Sequence, residues 1–282
     1  MWEGDVTGST AGADNEPGRS QGDLRARVAH PLGWSGRSRT GVTLQYVGVN
    51  DEEEFVTLQE AIPTARRAGR RGWRADLSIG LAVSLGLVIL GLMAKLPGPT
   101  AIDLRLDQSL ATGRSSGLTS LAVVATNLAQ PAVGIAVAVL VPLVLVLLRR
   151  RVMAVRIFGL FGAALGLAWV VKLVVAEPRP PAVLAAVASD SGHGFPSGHV
   201  SVAAAMCVAV WFLTGPSGTV RRILLGGLAA AFALVVGWSR VYLGVHYLPD
   251  VFGSYLAVAA AAFGLRAFLG FPVVSDFMDR HV

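Results

Sequence analysis

Three short polar segments stand at the ends of long apolar runs: KLVVAEPRP, FPSGH and SRVYLGVHYLPD. Ionisable side chains near membrane depth are costly, so by default they indicate function. Arginine matches phosphate oxygens in pairs, lysine supplies a point charge, and glycine at a helix N-terminus lets backbone N–H groups approach an anion. A simple carboxylate would not need so many donors, so the pattern favours phosphate as the ligand. The predicted phosphate-binding residues are Lys172, Arg179, Ser197, Gly198 and Arg240.

Two histidines and an aspartate in these segments could do nucleophilic and acid–base chemistry. His246 and Asp250 are four residues apart, so a helix that begins near His246 would place them on one face. The carboxylate of Asp250 could then accept the Nδ1 proton, which would activate Nε2 as a nucleophile. His199 would stand on the opposite side as general acid for the leaving oxygen. The predicted catalytic residues are therefore His246, His199 and Asp250.

Each of these residues also has a structural interpretation. Ser197 could simply cap a helix, and Asp250 could simply place a charge at a helix N-terminus. A metal site built from the two histidines and Asp250 is conceivable, but three nearby cations would repel a metal ion. We therefore expect neither a metal nor another cofactor. Asp190 and His193, in the loop before the second segment, are interpreted as loop residues, although they could touch a headgroup.

The composition is that of an integral membrane protein. Of the 282 residues, 53% are hydrophobic and only 15% are charged, against about a quarter charged in a typical soluble domain. The net charge of +6 comes almost entirely from arginine, which in a membrane protein reports topology more often than nucleic-acid binding. The single cysteine excludes an intrachain disulfide.

Apolar blocks of nearly the ~20 residues that cross a bilayer predict an all-α bundle of six transmembrane helices. The segment 118–130 is expected to form a helix at the outer membrane surface or to extend the second span. We expect residues 1–74 to be a mostly disordered cytoplasmic tail, with a short helix possible at 58–68, and residues 271–282 to be a short cytoplasmic tail. The bundle occupies 75–270, with spans at 77–95, 131–148, 152–175, 199–214, 223–241 and 250–269.

The arginines of the tail and of two links predict the orientation of this bundle. Arginine clusters lie before the first span, at 149–151 between the second and third spans, and at 221–222 between the fourth and fifth spans. Because successive spans run in opposite directions, all three clusters fall on the same side of the membrane. Positive residues gather on the cytoplasmic side, so both termini are expected inside a plasma membrane. The three polar segments then share the outer face.

The spacings K-x6-R-P, P-S-G-H and S-R-x5-H-x3-D, taken together, resemble the motifs of the type 2 phosphatidic acid phosphatase family, membrane lipid phosphatases related to vanadium haloperoxidases. The resemblance covers roughly residues 77–270. It implies a metal-independent phosphatase with a phosphohistidine intermediate. By that resemblance His246 attacks phosphorus, Asp250 orients it, and His199 protonates the leaving group and then helps to activate water. The five predicted phosphate-binding residues would hold the phosphoryl oxygens.

The predicted function is hydrolysis of a lipid phosphomonoester or pyrophosphate at the outer membrane face. Candidate substrates are polyprenyl pyrophosphate, phosphatidic acid, phosphatidylglycerol phosphate and a polyprenyl-phosphosugar. The expected partners are such a lipid and the bilayer, without nucleic acid and with no particular oligomeric state predicted. A phosphoryl or headgroup transferase on the same fold is the alternative, and a non-enzymatic lipid transporter is a more distant one.

Overall fold

The computed structural model describes residues 58–190, 192–215 and 218–281, and in these ranges all regular structure is helical. A short 3₁₀-helix at Ala182–Leu184 lies between the fifth and sixth α-helices. The α-helices are α1 (Leu58–Ala94), α2 (Pro97–Thr112), α3 (Ser116–Asn127), α4 (Pro131–Leu147), α5 (Arg151–Val175), α6 (Gly198–Thr214), α7 (Thr219–Tyr242), α8 (Leu248–Gly270) and α9 (Pro272–His281).

The chain is a multi-pass membrane protein, and the prediction of an all-α membrane bundle is confirmed for the part that the structure describes. All six predicted spans are helical, but only five stretches are both long and apolar enough to cross a bilayer. The predicted span 199–214 falls in α6, an apolar helix of 17 residues that is shorter than the usual ~20. The five longer stretches are Gly72–Ala94, Ser116–Leu147, Arg151–Val175, Thr219–Tyr242 and Leu248–Gly270.

Two predicted boundaries look different in the structure. Helix α1 runs without a break through residue 75, where the tail was expected to meet the bundle, and residues 1–57 of that tail lie outside the described residues. The stretch Ser116–Leu147 is apolar throughout but is divided, because α3 ends at Asn127 and α4 begins at Pro131. Proline suits the first turn of a helix, where its missing N–H costs no hydrogen bond.

The core of the bundle lies where α5 packs against α4, α6 and α8. Leu160 and Phe161 of α5 are fully buried there, together with Ala205 of α6 and Val258 of α8. Small residues at such contacts let helices approach closely in lipid. The outward surfaces are also apolar, as at Leu147, which is 73% exposed. Such a surface is expected where the surrounding medium is hydrocarbon.

A single aromatic ring anchors the loop that carries the second polar segment. Phe195 is fully buried between α1 and α8, in space left by two glycines. A Cβ atom at Gly91 would lie 2.7 Å from the Phe195 ring, and a Cβ at Gly253 would also overlap it. The ring therefore fixes the approach of the chain to Ser197, two residues further on, where α6 begins.

The three polar segments meet because the helices alternate in direction. The first segment leaves the C-terminal end of α5, and the third leaves the C-terminal end of α7 and enters α8. The N-terminal ends of α6 and α8 meet at this same end of the bundle, where the Ser197 N–H donates to the Asp250 carbonyl at 3.2 Å. The arginines at 149–151 and 221–222 flank the other ends of α5 and α7.

Candidate active site

The eight predicted site residues lie at helix ends on one side of the bundle. At a helix end, a polar side chain can extend out of the apolar core while its backbone stays fixed by the helix. Lys172 is in the last turn of α5 and Arg179 follows that helix; Ser197 precedes α6, and Gly198 and His199 begin it; Arg240 is in the last turn of α7; His246 precedes α8, and Asp250 is in its first turn.

His246 and Asp250 form a buried pair. The His246 Nδ1 atom lies 2.8 Å from Asp250 Oδ2, and both side chains are fully buried. The same carboxylate oxygen accepts the backbone N–H of Tyr247 at 3.1 Å. Helix α8 begins at Leu248 rather than at His246, so the histidine lies in the preceding turn, and its contact with Asp250 still forms across four residues.

A glycine makes that turn possible. Gly244 has a φ of +68°, a left-handed conformation that strains any residue with a Cβ. A Cβ there would also lie 2.5 Å from the Leu184 carbonyl oxygen and 2.7 Å from Arg114 Nη2. The chain can therefore reverse tightly after α7 and bring His246 back beneath Arg179.

The hydrogen bonds of His246 define its tautomer. Arg179 Nη1 lies 3.0 Å from His246 Nε2, and a guanidinium can only donate. Nε2 must therefore carry the lone pair, and the ring proton must be on Nδ1, from which it donates to Asp250. Burial, followed by the positive charges of Arg240 and Arg179, holds the pKa of His246 well below its ordinary value. The side chain is thus a neutral imidazole with the correct nitrogen available for nucleophilic attack.

One carboxylate oxygen, that of Asp190, lies between Arg179, Arg240 and His199. Asp190 Oδ2 lies 2.9 Å from Arg240 Nη2, 3.6 Å from His199 Nδ1 and 3.8 Å from Arg179 Nη2. These contacts connect α6, α7 and the segment after α5 around a single point. The interpretation of Asp190 as a plain loop residue is therefore incomplete, because its side chain lies among the predicted site residues.

Three buried polar atoms at this point have no hydrogen-bond partner: Ser197 Oγ, His199 Nδ1 and Arg240 Nε. Ser197 makes no side-chain capping bond, although it occupies the N-cap position of α6. Buried polar groups are normally hydrogen-bonded, so unpartnered ones call for an explanation. Donors that converge without partners are what a cradle for a tetrahedral anion requires.

Lys172 lies at the edge of the cluster. Its Nζ atom donates to the carbonyl oxygens of His193 at 2.7 Å and Gly194 at 3.2 Å. These bonds tie the end of α5 to the loop before α6. The His193 side chain itself is exposed, and its backbone makes the contact. Lys172 therefore contributes positive charge to the site while also holding the loop in place.

Two further side chains at the site were not predicted from the sequence. Thr126 of α3 accepts a hydrogen bond from Arg240 Nη1 at 2.9 Å, which orients the guanidinium. Glu177, only 2% exposed, lies behind Asp250, and burial raises its pKa above the ordinary value. A sequence signal existed for Glu177, since an acidic residue at the end of an apolar run indicates function.

Among the described residues, no group of three or more His, Cys, Asp or Glu side chains is arranged to hold a metal ion. His246 and Asp250 pair with each other, and three cationic side chains face them. The expectation that the chemistry needs no metal stays a prediction.

This site lies within the part of the chain that matches a known family. Residues 153–271 match the family model described as the PAP2 superfamily, and all eight predicted site residues fall in that range. The helical fold and the family match together indicate the class: this part of the chain is similar to the PAP2 superfamily. The resemblance to type 2 phosphatidic acid phosphatases is therefore confirmed.

Individual relatives come from Bacillus subtilis (strain 168). The chain is 30% identical over 134 residues to undecaprenyl-diphosphatase BcrC, and this match covers 46% of this chain and 63% of that protein. It is 35% identical over 89 residues to phosphatidylglycerophosphatase B, which covers 30% of this chain and 43% of that protein. The chain thus spans less than two thirds of the length of either relative.

A solved structure shares the fold. The crystal structure of a transmembrane PAP2 type phosphatidylglycerolphosphate phosphatase from Bacillus subtilis matches with a TM-score of 0.57 at 24% identity. The match covers 72% of this chain and 97% of that one. The helical bundle described above therefore shares the fold of that membrane protein.

Proposed function

We propose that this protein is an integral membrane lipid phosphatase that hydrolyses a lipid phosphomonoester or pyrophosphate through a phosphohistidine intermediate. The observation that carries the proposal is the pairing of a neutral, nucleophile-ready His246 with a cluster of cations and unpartnered donors. The names of the two relatives support a lipid phosphate as the substrate.

In the first step His246 Nε2 attacks phosphorus while the bond from phosphorus to the lipid oxygen breaks. Asp250 accepts a hydrogen bond from Nδ1–H and so stabilises the positive charge that develops on the ring. Once the negative charge of the bound phosphoryl group has stabilised its protonated form, His199 gives its proton to the leaving oxygen, which departs as an alcohol or a lipid phosphate. Arg179 must then release Nε2 and turn its donors to the phosphoryl oxygens.

In the second step water attacks the phosphohistidine. His199, now neutral, accepts the water proton, and inorganic phosphate leaves with the lone pair of Nε2 restored to His246. The roles of Lys172, Arg240, Ser197 and the Gly198 amide are to stabilise charge on the phosphoryl oxygens throughout. Electrostatic stabilisation of this kind is usually the largest part of phosphoryl-transfer catalysis.

The outer membrane face is the proposed location of this chemistry. The arginines at 149–151 and 221–222 flank the helix ends opposite the site, and such residues mark the cytoplasmic side. A lipid whose tail enters between helices would present its phosphate at that outer interface. Polyprenyl pyrophosphate and phosphatidylglycerol phosphate are the first substrates to test, followed by phosphatidic acid.

The test is phosphate release by purified full-length protein in detergent micelles or nanodiscs, across these three lipids. We expect phosphate release from at least one lipid with no acceptor alcohol present. EDTA should not change the rate, and orthovanadate should inhibit it, because vanadate adopts the trigonal bipyramidal geometry of the phosphoryl-transfer transition state. Phosphate transfer that requires an added alcohol would instead establish the transferase. Absence of release from all three lipids would contradict the proposal.

A further inference from the structure

Asp190 lies where the proposed phosphoryl group must bind. Its Oδ2 atom accepts a hydrogen bond from Arg240 and lies 3.6 Å from His199 and 3.8 Å from Arg179, as a phosphate oxygen in this cradle would. A carboxylate and a phosphoryl group are both anions, and each can accept two parallel hydrogen bonds from one guanidinium group. Both cannot occupy the same position, because two negative charges in contact repel.

The surroundings of Asp190 show which partner can move. The side chains of Arg179, His199 and Arg240 are 11%, 6% and 4% exposed, whereas that of Asp190 is 49% exposed. These three side chains are therefore held by packing, and the carboxylate reaches them from the solvent side. Rotation of one half-exposed side chain is enough to clear the site, and no helix has to move.

We propose that Asp190 is a resident anion of the phosphate site that an incoming phosphoryl group must displace, so this residue sets the affinity of the site. The proposal rests on the proposed function. It explains how two guanidinium groups can lie together at the site before substrate arrives, since the carboxylate compensates their charge. It also implies selectivity, because only a ligand with more negative charge than one carboxylate displaces Asp190 readily.

The test measures binding of inorganic phosphate to purified protein by isothermal titration calorimetry. Asp190→Asn keeps the shape but removes the charge, and Asp190→Glu keeps the charge. Asp279→Asn is the matched control, since it makes the same change on exposed α9, at the far end of the bundle. We expect the phosphate Kd of Asp190→Asn to fall about tenfold, because removing a competing charge at an ion-pair site changes binding by such amounts. Asp190→Glu and Asp279→Asn should stay near wild type.

A turnover measurement completes the test for a lipid that the enzyme hydrolyses. The KM of Asp190→Asn should fall in parallel with the phosphate Kd, and kcat should be unchanged. A phosphate Kd that is unchanged or weaker in Asp190→Asn overturns the proposal, and so does undetectable phosphate binding by every variant. A lower kcat at constant KM also overturns it, because Asp190 would then act by orienting His199. Since phosphate binding needs no turnover, tighter binding without any phosphatase activity would refute the proposed function alone.

A different observation concerns the far side of the His246–Asp250 pair. Among the described residues, Glu177 Oε2 and Asp250 Oδ1 are buried polar atoms without a hydrogen-bond partner. Both residues border Gly194, where a Cβ atom would lie 3.1 Å from Asp250 Oδ2. One proton shared between the two carboxyl groups would give both orphaned oxygens a partner, whereas two ionised carboxylates side by side would repel each other. The Glu177 backbone is fixed as well, since its carbonyl accepts the Gly194 N–H at 2.8 Å.

From this arrangement we infer that Glu177 is a positioning residue. A proton shared between Glu177 and Asp250 holds the Asp250 carboxylate at the angle at which Oδ2 faces His246 Nδ1. This inference also rests on the proposed function. Glu177→Gln replaces the shared proton by an amide N–H and should keep kcat within about threefold of wild type. Glu177→Met and Glu177→Ala leave Asp250 Oδ1 without a partner, and a small misplacement of the pair should cost tenfold to about a hundredfold in kcat, with KM unchanged.

The proton NMR signal of His246 Nδ1–H, in protein labelled with ¹⁵N-histidine and assigned by its loss in His246→Ala, provides a readout without turnover. It should keep its downfield position in Glu177→Gln and move upfield in the two apolar variants. Because there are two apolar variants, failure of one to fold leaves the comparison intact. Equal kcat and equal proton shifts in the glutamine and apolar variants would exclude this role for Glu177, whatever lipid the enzyme uses.

Discussion

Replacement of His246 by alanine should lower kcat for lipid phosphate hydrolysis by about 10⁴-fold or more, because no other group can form the covalent intermediate. Nε2 is the only imidazole nitrogen in the described site that faces the cations with a defined lone pair and has a carboxylate behind the ring. KM should change little, since Arg179, Arg240 and Ser197 remain to bind the phosphoryl group. The measurement is phosphate release under saturating lipid, with thermal unfolding followed to verify that the variant folds.

Two controls sharpen this result. His281→Ala makes the same chemical change in α9, beyond the last span, and should retain full activity. Brief reaction with ³²P-labelled lipid should give an acid-labile, alkali-stable phosphoprotein in wild type and none in His246→Ala. Retention of the label in His246→Ala would move the nucleophile elsewhere and refute the role assigned to His246.

The pH profile follows from the same histidine. Burial and nearby cations lower the pKa of His246, so the ring stays neutral well below the pH at which a free histidine becomes protonated. Loss of the nucleophile on the acid side should therefore occur at a lower pH than an ordinary histidine would give. The nucleophile thus remains in its active form throughout neutral and mildly acidic conditions.

The long spans could be predicted from the sequence because hydropathy alone determines them. A run of about 20 apolar residues has few alternatives to a membrane helix, since lipid offers no partner for unpaired backbone groups. The short α6 shows the limit of that reasoning. Its 17 residues are apolar enough to be predicted as a span, but they owe their position to burial among α5, α7 and α8.

The meeting of the three polar segments could also be predicted, because alternation of antiparallel helices brings their ends to one face. The contacts of Asp190 could not be, because they depend on the path of the chain between Pro180 and Gly194. That path has no helical or strand periodicity, and it is fixed by long-range contacts, such as the bond from the Ala186 N–H to the Leu243 carbonyl at 2.9 Å.

Helix α2 is a third case, because no helix was predicted between residues 95 and 118. Asp103 and Asp107 are four residues apart, a spacing that places them on one helical face, and both are buried. Burial, with a contribution from Asp103, raises the pKa of Asp107 to about 7. The four-residue spacing of these aspartates is visible in the sequence. The segment was not predicted as a helix because its overall hydropathy is low compared with that of the spans.

Replacement of His199 by alanine should slow hydrolysis of the lipid substrate by 10²–10⁴-fold, because a positioned general acid contributes about that much when the leaving group is poor. An alkoxide leaving from a lipid monoester needs a proton as the bond to phosphorus breaks. The Nδ1 atom of His199 is buried at the edge of the phosphate cradle and has no hydrogen-bond partner among the described residues, so a leaving oxygen can take that place. A non-enzymatic lipid transporter would be indifferent to this substitution.

Substrates with different leaving groups distinguish proton transfer by His199 from a purely structural role of this residue. With p-nitrophenyl phosphate, whose phenolate leaves without protonation, His199→Ala should still phosphorylate His246 at close to the wild-type rate. Hydrolysis of the phosphohistidine should remain slow, because His199 also serves as the base for water, so labelled phosphoprotein should accumulate to a higher level in this variant than in wild type. A variant that is equally slow with both substrates and accumulates no phosphoprotein would show that His199 shapes the site rather than transferring protons. Since wild-type turnover with a lipid monoester uses both proton transfers, accumulation in the variant would also identify the second step as the one that becomes rate-limiting when the imidazole is lost.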